Sequence, residues 1–361
     1  WSLGANDAAN VFGSAVGSRM ISFTKAAIIA SLFVIIGAVF QGQGASEALG
    51  RLGAVNALGG SFTVALAAAL AVFFMTRTGI PVSTTQAIVG AILGWNLFTG
   101  NSTDISSLTT IVGTWISGPI LGGIFAVLLF LLLKKIRRNA RIHLIRYESI
   151  IRTGLIIVGA FASYSLGANN IANVMGVFVP ATNLDDIDLG IMVLSGNQQL
   201  FLLGGIAIAV GIFTYSERVM KTVGTNIFAL SADAALIVVL SHSLVLFIFS
   251  STRLSEFVSG LGLPPIPLVP VSSSQVIVGS ILGIGLLSGA RNINFKLLGG
   301  IASGWITTPL IAGLISFISL FFVQNVFRIT VQEEAKAETS TTGSYLLRTG
   351  TQDRHPPGSL P

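Results

Sequence analysis

The segment Pro81-Val-Ser-Thr-Thr-Gln-Ala-Ile-Val-Gly-Ala-Ile-Leu-Gly94 occurs twice in this chain. Its second copy is Pro270-Val-Ser-Ser-Ser-Gln-Val-Ile-Val-Gly-Ser-Ile-Leu-Gly283, which is identical at ten of the fourteen positions. In both copies a proline precedes three hydroxyl side chains, a glutamine and an apolar run, which is the pattern of a helix N-terminus. Chance is a poor explanation for such a match, so the segment predicts a structural unit that is present twice.

A second motif is duplicated in the same order. Leu3-Gly-Ala-Asn-Asp-Ala-Ala-Asn-Val-Phe-Gly13 matches Leu166-Gly-Ala-Asn-Asn-Ile-Ala-Asn-Val-Met-Gly176 at eight of eleven positions. A third, weaker pair follows: Trp115-Ile116 with Pro119, and Trp305-Ile306 with Pro309. Each half therefore carries three landmarks in one order, which predicts two repeats, residues 1–133 and 153–330.

The composition places both repeats in a membrane. Of the 361 residues, 52% are hydrophobic and 9% are charged, against roughly a quarter charged in soluble domains. The 41 glycines lie scattered within apolar runs, as in close-packed membrane helices. With no cysteine and three histidines, disulfides, thiolate sites and a zinc cluster are excluded. We therefore expect an all-α, polytopic helical membrane protein.

Hydrophobic runs divide the chain into spans and interrupted segments. Seven runs have lengths typical of membrane helices: 24–40, 62–75, 111–133, 150–164, 200–215, 234–249 and 301–323. Four apolar segments are short or broken by Gly, Pro and Ser: 1–18, 78–98, 166–179 and 264–288. Irregular backbone at membrane depth must be buried in protein or line a cavity. Broken segments at matching places in two halves indicate the substrate site of a secondary transporter, with inverted-topology repeats.

The net charge of +6 is best read as a signal of orientation. Much of the positive charge lies in residues 134–152, at Lys134, Lys135, Arg137, Arg138, Arg141, Arg146 and Arg152. The positive-inside rule predicts that this connecting loop is cytoplasmic and that the protein lies in the cell membrane. We therefore expect no nucleic-acid partner. Residues 331–361 are polar and rich in Thr, Ser and Gly, which predicts a disordered tail.

The two hydroxyl-rich helix starts are candidate anion sites. A helix N-terminus offers unpaired N–H groups and about half a positive charge, which suits a tetrahedral oxyanion. Helix capping is the alternative, but capping needs only one hydroxyl. Both copies keep three hydroxyls and a glutamine, so we favour an anion cage made of Ser83, Thr84, Thr85, Gln86, Ser272, Ser273, Ser274 and Gln275.

The Gly-Ala-Asn motifs are candidate cation sites. Asparagines four residues apart share a helix face, and amide and carboxylate oxygens suit a hard cation. Hydrogen bonding between helices is the alternative for any one asparagine. For the duplicated set we favour sodium ligands: Asn6, Asp7, Asn10, Asn169, Asn170 and Asn173. An acid in a membrane segment is costly and usually functional, and Gly4 and Gly167 are expected to permit local unwinding of the helices.

Charge links the two candidate sites. Neither anion motif contains Lys or Arg, and two helix ends supply only about one positive charge. An anion bound there needs a companion cation in a medium of low dielectric constant.

Two other polar residues fall in or near one span. Asp233 and His242 are candidates for a proton relay or, with Ser241, for the remnant of a hydrolase. A structural pair between helices or an interfacial position is the favoured interpretation.

The duplicated motifs resemble those of the inorganic phosphate transporter (PiT) family of sodium- or proton-coupled symporters. The resemblance extends over both halves and implies inverted repeats with re-entrant hairpins, a homodimer, and sodium rather than an organic cofactor. Members of that family often have His where this chain has Gln86 and Gln275, which favours sodium over proton coupling. They usually have Asp where this chain has Asn170, so the two cation half-sites differ in charge.

These observations together predict sodium-coupled phosphate symport by alternating access and not an enzyme, because no motif joins a nucleophile to a base and an orienting group. The alternatives are proton coupling, another oxyanion such as arsenate or sulfate, and an anion channel. A channel would conduct independently of a sodium gradient.

Overall fold

The computed structural model describes residues 1–77, 82–139, 143–190, 192–226, 230–287, 289 and 295–333. Their helices are α1 Ser2–Gly17, α2 Phe23–Gln41, α3 Gln43–Gly53, α4 Leu58–Arg77, α5 Thr84–Thr99, α6 Ile105–Asn139, α7 Leu144–Asn170, α8 Ala172–Met175, α9 Gly196–Asn226, α10 Ala232–Ile248, α11 Thr252–Gly260, α12 Ser273–Leu287 and α13 Phe295–Asn325. A 3-10 turn, Val179–Ala181, and two antiparallel two-residue strands, Ile187–Asp188 and Val193–Leu194, complete the described elements. The prediction of an all-α protein is confirmed.

Six helical segments in the described part of the chain are long and apolar enough to cross a membrane, and the bent pair α10 and α11 makes up to seven. Each of the seven predicted apolar runs falls on a helix. Large apolar side chains such as Ile116, Ile120, Leu310 and Leu314 are exposed on α6 and α13, because these faces meet lipid rather than water. The protein is a multi-pass membrane protein.

The two helices that begin at the hydroxyl motifs, α5 and α12, are each too short to span a bilayer. They contain 16 and 15 residues, or about 24 and 22 Å at 1.5 Å per residue, against about 30 Å of hydrocarbon. Near the end of α5, Asn96 Nδ2 lies 2.8 Å from Thr103 Oγ1, just before α6 begins. The last residues of α12 line a cleft with Leu128, near the opposite end of α6. The two short helices therefore run to opposite ends of α6.

The halves pack by exchanging helices. Gly90 of α5 faces α13 so closely that an added Cβ would lie 2.1 Å from Pro309 O, and Gly279 of α12 faces Pro119 O of α6 at the same distance. The motif helices repeat this arrangement: Gly4 of α1 faces Ile208 O of α9, and Gly167 of α7 faces Val34 O of α2. Each half therefore supplies the surface against which the other half packs.

The prediction that Gly4 and Gly167 unwind their helices is wrong. Both glycines lie inside helices, α1 and α7. The missing side chains serve close approach instead, since a Cβ would lie 2.0 Å from Ile208 O and 2.1 Å from Val34 O. The interruption occurs at Ile171, between α7 and α8.

The connecting segment is largely helical, and the first residues of the predicted tail pack against the first half. Within 134–152, α6 continues to Asn139 and α7 starts at Leu144, while Arg141 lies outside the described residues. Of the predicted tail, residues 331–333 pack against the first half: Trp95 Nε1 donates to Val331 O at 3.3 Å, and Asn56 Nδ2 donates to Glu333 O at 2.9 Å. Residues 334–361 lie outside the described part.

The helix exchange predicts a stability difference among glycines. Gly90→Ala and Gly279→Ala place a methyl group against a carbonyl oxygen, so each should lower the free energy of unfolding by about 1–3 kcal/mol or more. Gly113→Ala in α6 is the matched control, because a Cβ there has nothing within 4 Å, and Ala should stabilise that helix slightly. Thermal unfolding in detergent, monitored by tryptophan fluorescence, ranks the three variants by stability. Equal midpoints for the three variants would contradict the packing.

Candidate functional site

Asp7 lies where the two halves meet. Its carboxylate, on α1, is buried, and Oδ2 accepts hydrogen bonds from Thr84 Oγ1 at 2.9 Å and Asn170 Nδ2 at 3.2 Å. Oδ1 accepts from Asn6 Nδ2 at 2.7 Å. A buried carboxylate needs such donors, because removing a charge from water costs far more than removing a neutral group. Asp7 therefore ties α1 to the start of α5 and the end of α7.

The first hydroxyl of each triplet caps its helix. Ser83 Oγ accepts from Gln86 N at 3.2 Å, and Ser272 Oγ accepts from Gln275 N at 3.3 Å. Capping therefore explains one hydroxyl in each copy and leaves the second and third for other contacts.

The last asparagine of each motif, Asn10 or Asn173, contacts hydroxyls of the opposite half. Asn10 Nδ2 donates to Ser273 Oγ at 3.0 Å. Asn173 Nδ2 donates to Thr85 Oγ1 at 2.9 Å and lies 3.4 Å from Thr84 Oγ1. These hydrogen bonds thus connect each asparagine motif to the helix start of the opposite half.

The first asparagine of each motif holds the chain entering the short helix of its own half. Asn6 Nδ2 donates to Val82 O at 3.1 Å. Asn169 is engaged at both amide atoms, because Nδ2 donates to Val269 O at 3.0 Å and Oδ1 accepts from Val271 N at 2.7 Å. Asn169 therefore holds the backbone of Val269 and Val271, which precedes α12, in addition to its predicted role as a cation ligand.

Two of the predicted anion ligands also make structural contacts. Thr85 Oγ1 donates to Val271 O at 3.2 Å, so its proton is used between the two halves. Ser274 Oγ lies 3.4 Å from Ser272 Oγ. Thr84 and Ser273 contact the asparagine motifs without donating to backbone of the other half, whereas Thr85 does both.

All fourteen predicted site residues are buried, with exposed fractions of 8% or less. A mostly apolar cavity of about 390 Å³ reaches Thr84 and Asn173 from the side of α1 and α4. Four buried amide oxygens of the predicted site residues accept no hydrogen bond from the described residues: Gln86 Oε1, Asn170 Oδ1, Asn173 Oδ1 and Gln275 Oε1. Asn170 also contacts the Asp7 carboxylate through Nδ2, and an unpaired amide oxygen together with a carboxylate is suited to a hard cation.

The described contacts of the predicted site residues include no Lys or Arg. None of the hydrogen bonds described above for the fourteen residues involves a Lys or Arg side chain. Arg77, at the end of α4, lies over the Phe73 ring at 4.5 Å. Asp233 pairs with Arg137 Nη1 at 2.8 Å and Tyr147 Oη at 2.8 Å, which confirms its interpretation as a structural pair between helices.

His242 is a site residue that the duplicated motifs did not reveal. It is fully buried on α10, and Nε2 lies 2.8 Å from Ser273 Oγ. Ser241 bonds only within its helix, to Ile237 O at 2.7 Å. An ionisable side chain inside an apolar span already made His242 a candidate for a proton relay in the sequence, but nothing in the duplicated motifs indicated its contact with Ser273.

Comparisons with known proteins agree on a family. A family model described as "Phosphate transporter family" matches residues 3–316. A "Putative phosphate permease" of Methanocaldococcus jannaschii is 30% identical over 317 residues, covering 88% of this chain and 91% of that protein. A protein of the same description from Haemophilus influenzae is 26% identical, covering 89% and 93%.

A solved structure, "The sodium-dependent phosphate transporter", has a similar fold. Its TM-score is 0.70 at 23% sequence identity, and the match covers 90% of this chain and 95% of that one.

The two adjacent hydroxyls Ser83 and Thr84 should respond differently to substitution. Ser83→Ala removes the cap and should lower stability by about 1 kcal/mol. Thr84→Val keeps the shape of the side chain and removes the contact to Asp7, so phosphate affinity should fall while the cap remains. Thermal unfolding and phosphate-binding calorimetry separate the effects, and a loss of stability without a loss of affinity in Thr84→Val would contradict the assignment.

Proposed function

The chain belongs to the phosphate transporter family, and we propose that it is a sodium-coupled phosphate symporter that works by alternating access. Its transported substrate is phosphate and it is a multi-pass membrane protein; the coupling ion, the mechanism and the site are the proposal. The observation that carries it is the contact between Asp7 and Thr84. That contact joins the proposed cation ligands to the proposed anion cage through one hydrogen bond.

The proposed phosphate cage is formed by the starts of α5 and α12. Its groups are the N–H donors of the first turns and the side chains of residues 83–86 and 272–275. Asn10 and Asn173 connect each start to the opposite half, so both ends can face one ligand. Two helix ends together contribute about one positive charge.

Sodium is proposed to complete the neutralisation. Phosphate brings one to two negative charges near neutral pH, an ionised Asp7 brings one more, and the described site contacts include no Lys or Arg side chain. The proposed ligands are Asp7 and the oxygens of Asn6, Asn10, Asn169, Asn170 and Asn173. The unpaired Oδ1 atoms of Asn170 and Asn173 support this assignment. In a low-dielectric site, each ion then raises the affinity for the other.

Alternating access is supported by the reciprocal packing of the two halves. Equivalent helices α5 and α12 start at the common site and run toward opposite ends of α6. This is the arrangement expected of inverted repeats, and relative movement of such repeats would expose a fixed site to either side of the membrane. The homodimer that the resemblance implies stays a prediction, to be tested by the mass of the detergent-solubilised protein.

Proton coupling is the second candidate. The observation that favours it is His242, a buried titratable residue in contact with Ser273. A proton gradient alone would then drive uptake.

Proteoliposomes distinguish the candidates. With an inward sodium gradient we expect phosphate accumulation, and with potassium or choline in its place accumulation should be lost. Accumulation driven by a proton gradient without sodium would favour the second candidate. Passive flux that is independent of both gradients would indicate a channel and contradict symport.

The inequality of the cation half-sites gives a separate expectation. Asp7→Asn removes the one carboxylate among the predicted ligands, so the sodium concentration for half-maximal uptake should rise at least tenfold. Asn170→Asp adds a carboxylate beside Asp7, where like charges repel, so it should improve sodium affinity by less than that. Sodium titrations of phosphate uptake measure both, and identical curves for the two variants would refute unequal half-sites.

Orientation can be tested because the chain has no cysteine. The basic segment 134–152 is proposed to be cytoplasmic, and the loop containing Asp186 lies at the other end of α7. Glu148→Cys should react with a membrane-impermeant thiol reagent only in inside-out vesicles, and Asp186→Cys only in right-side-out vesicles. The reverse pattern would invert the proposed topology.

A further inference from the structure

The hydroxyl of Ser273 lies within hydrogen-bond distance of two side chains, Asn10 and His242. Its Oγ lies 3.0 Å from Asn10 Nδ2 and 2.8 Å from His242 Nε2. An amide nitrogen can only donate, so Ser273 accepts from Asn10. A hydroxyl has one proton and two lone pairs, and one lone pair is used by Asn10. If His242 Nε2 accepts, the serine proton points at the histidine; if Nε2 donates, the serine proton is free for another acceptor.

The surroundings of His242 favour one tautomer. The ring is fully buried, and Nδ1 has no hydrogen-bond partner among the described residues. A neutral imidazole carries one proton, on Nδ1 or on Nε2. A proton on Nδ1 would be a buried donor without an acceptor, and such orphaned N–H groups are rarer in folded proteins than under-satisfied acceptors. A proton on Nε2 makes the ring a donor to Ser273.

We propose that His242 is a positioning residue that fixes the polarity of Ser273: with Asn10 and His242 both donating to its oxygen, the serine hydroxyl can donate only to the bound anion. The proposal rests on the proposed phosphate cage and adds a residue and a role to it.

Thr84, which occupies the same place in the first half, has the opposite polarity. Its hydroxyl donates to Asp7 Oδ2 at 2.9 Å and lies 3.4 Å from Asn173 Nδ2. The proton of Thr84 is thus committed to the carboxylate, and the remaining lone pair can only accept. The two equivalent hydroxyls become one donor, Ser273, and one acceptor, Thr84.

In the proposed cage both hydroxyls face the same anion, and one donor together with one acceptor then selects the protonation state of that ligand. Near neutral pH phosphate carries at least one P–OH group and also unprotonated oxygens, so it satisfies both hydroxyls. Sulfate carries no proton and would place an oxygen lone pair against that of Thr84. Leaving a buried polar group unpaired is an effective way of rejecting an analogue. The site is therefore specific for a tetrahedral oxyanion that still bears a proton.

Uptake kinetics test the role of His242. His242→Leu should raise the KM for phosphate about tenfold, the cost of one lost hydrogen bond, with little change in the maximal rate. His242→Gln, whose amide nitrogen can reach the position of Nε2, should recover most of the affinity. Ser241→Ala, the preceding residue, whose hydroxyl bonds only within α10, is the control. If wild-type protein takes up phosphate and His242→Leu has an unchanged KM, the role of His242 is refuted and the transport function stands. If wild-type protein takes up no phosphate, the proposed function itself is refuted.

Competition with sulfate tests the two polarities separately. His242→Leu should weaken phosphate and sulfate equally, because Ser273 donates to either anion, so the ratio of the sulfate inhibition constant to the phosphate KM stays constant. Thr84→Val removes the acceptor and should lower that ratio about tenfold. A ratio that changes in His242→Leu and not in Thr84→Val would overturn the assignment.

The tautomer can be observed in protein with His242 intact, which keeps the proposal testable even if His242→Leu fails to fold. The chain has three histidines, so His143→Gln and His355→Gln leave His242 as the one ¹⁵N-labelled imidazole. Solid-state NMR in sodium and phosphate should show a neutral ring protonated at Nε2. A ring protonated at Nδ1 would overturn the proposal.

Discussion

The buried carboxylate of Asp7 is the constraint on which the site depends. A charge in a low-dielectric interior is tolerated only where donors surround it, and here those donors come from Asn6, Thr84 and Asn170. They belong to three helices and to both halves of the chain. Satisfying one carboxylate therefore brings the start of α5 and the end of α7 to the same point on α1.

The glycines provide the second requirement, close contact between the helices that support this point. Membrane helices gain little hydrophobic energy from association in lipid, so they rely on tight packing through small residues. Gly4, Gly90, Gly167 and Gly279 each face a backbone carbonyl of a helix from the other half. The polar group at the centre is thereby held by exchanged helices rather than by either half alone.

The duplicated motifs made much of this predictable. Equal motifs predict equal structures, so Thr84 and Ser273 could be grouped as candidate anion ligands and Asn10 and Asn173 as candidate cation ligands before the structure. The hydrogen bonds between the two sets are what the structure adds. The role of Gly4 and Gly167 could not be deduced, because unwinding and close approach both favour glycine. The sequence singles out His242 only as a polar residue in the same span as Asp233. Its contact with Ser273 could not be deduced, because the two residues are 31 positions apart and His242 belongs to neither duplicated motif.

The exchange of helices also bears on how the chain is made. The surface against which α5 packs is on α13, the last described helix to leave the ribosome. Until α13 is synthesised, the face of α5 that carries Gly90 lacks its packing surface, and α5, with 16 residues, is shorter than the hydrocarbon thickness of a bilayer. The packing of the first half is therefore completed only after α13 of the second half has been synthesised. Biogenesis of such a chain is a single late closure rather than two successive folding steps.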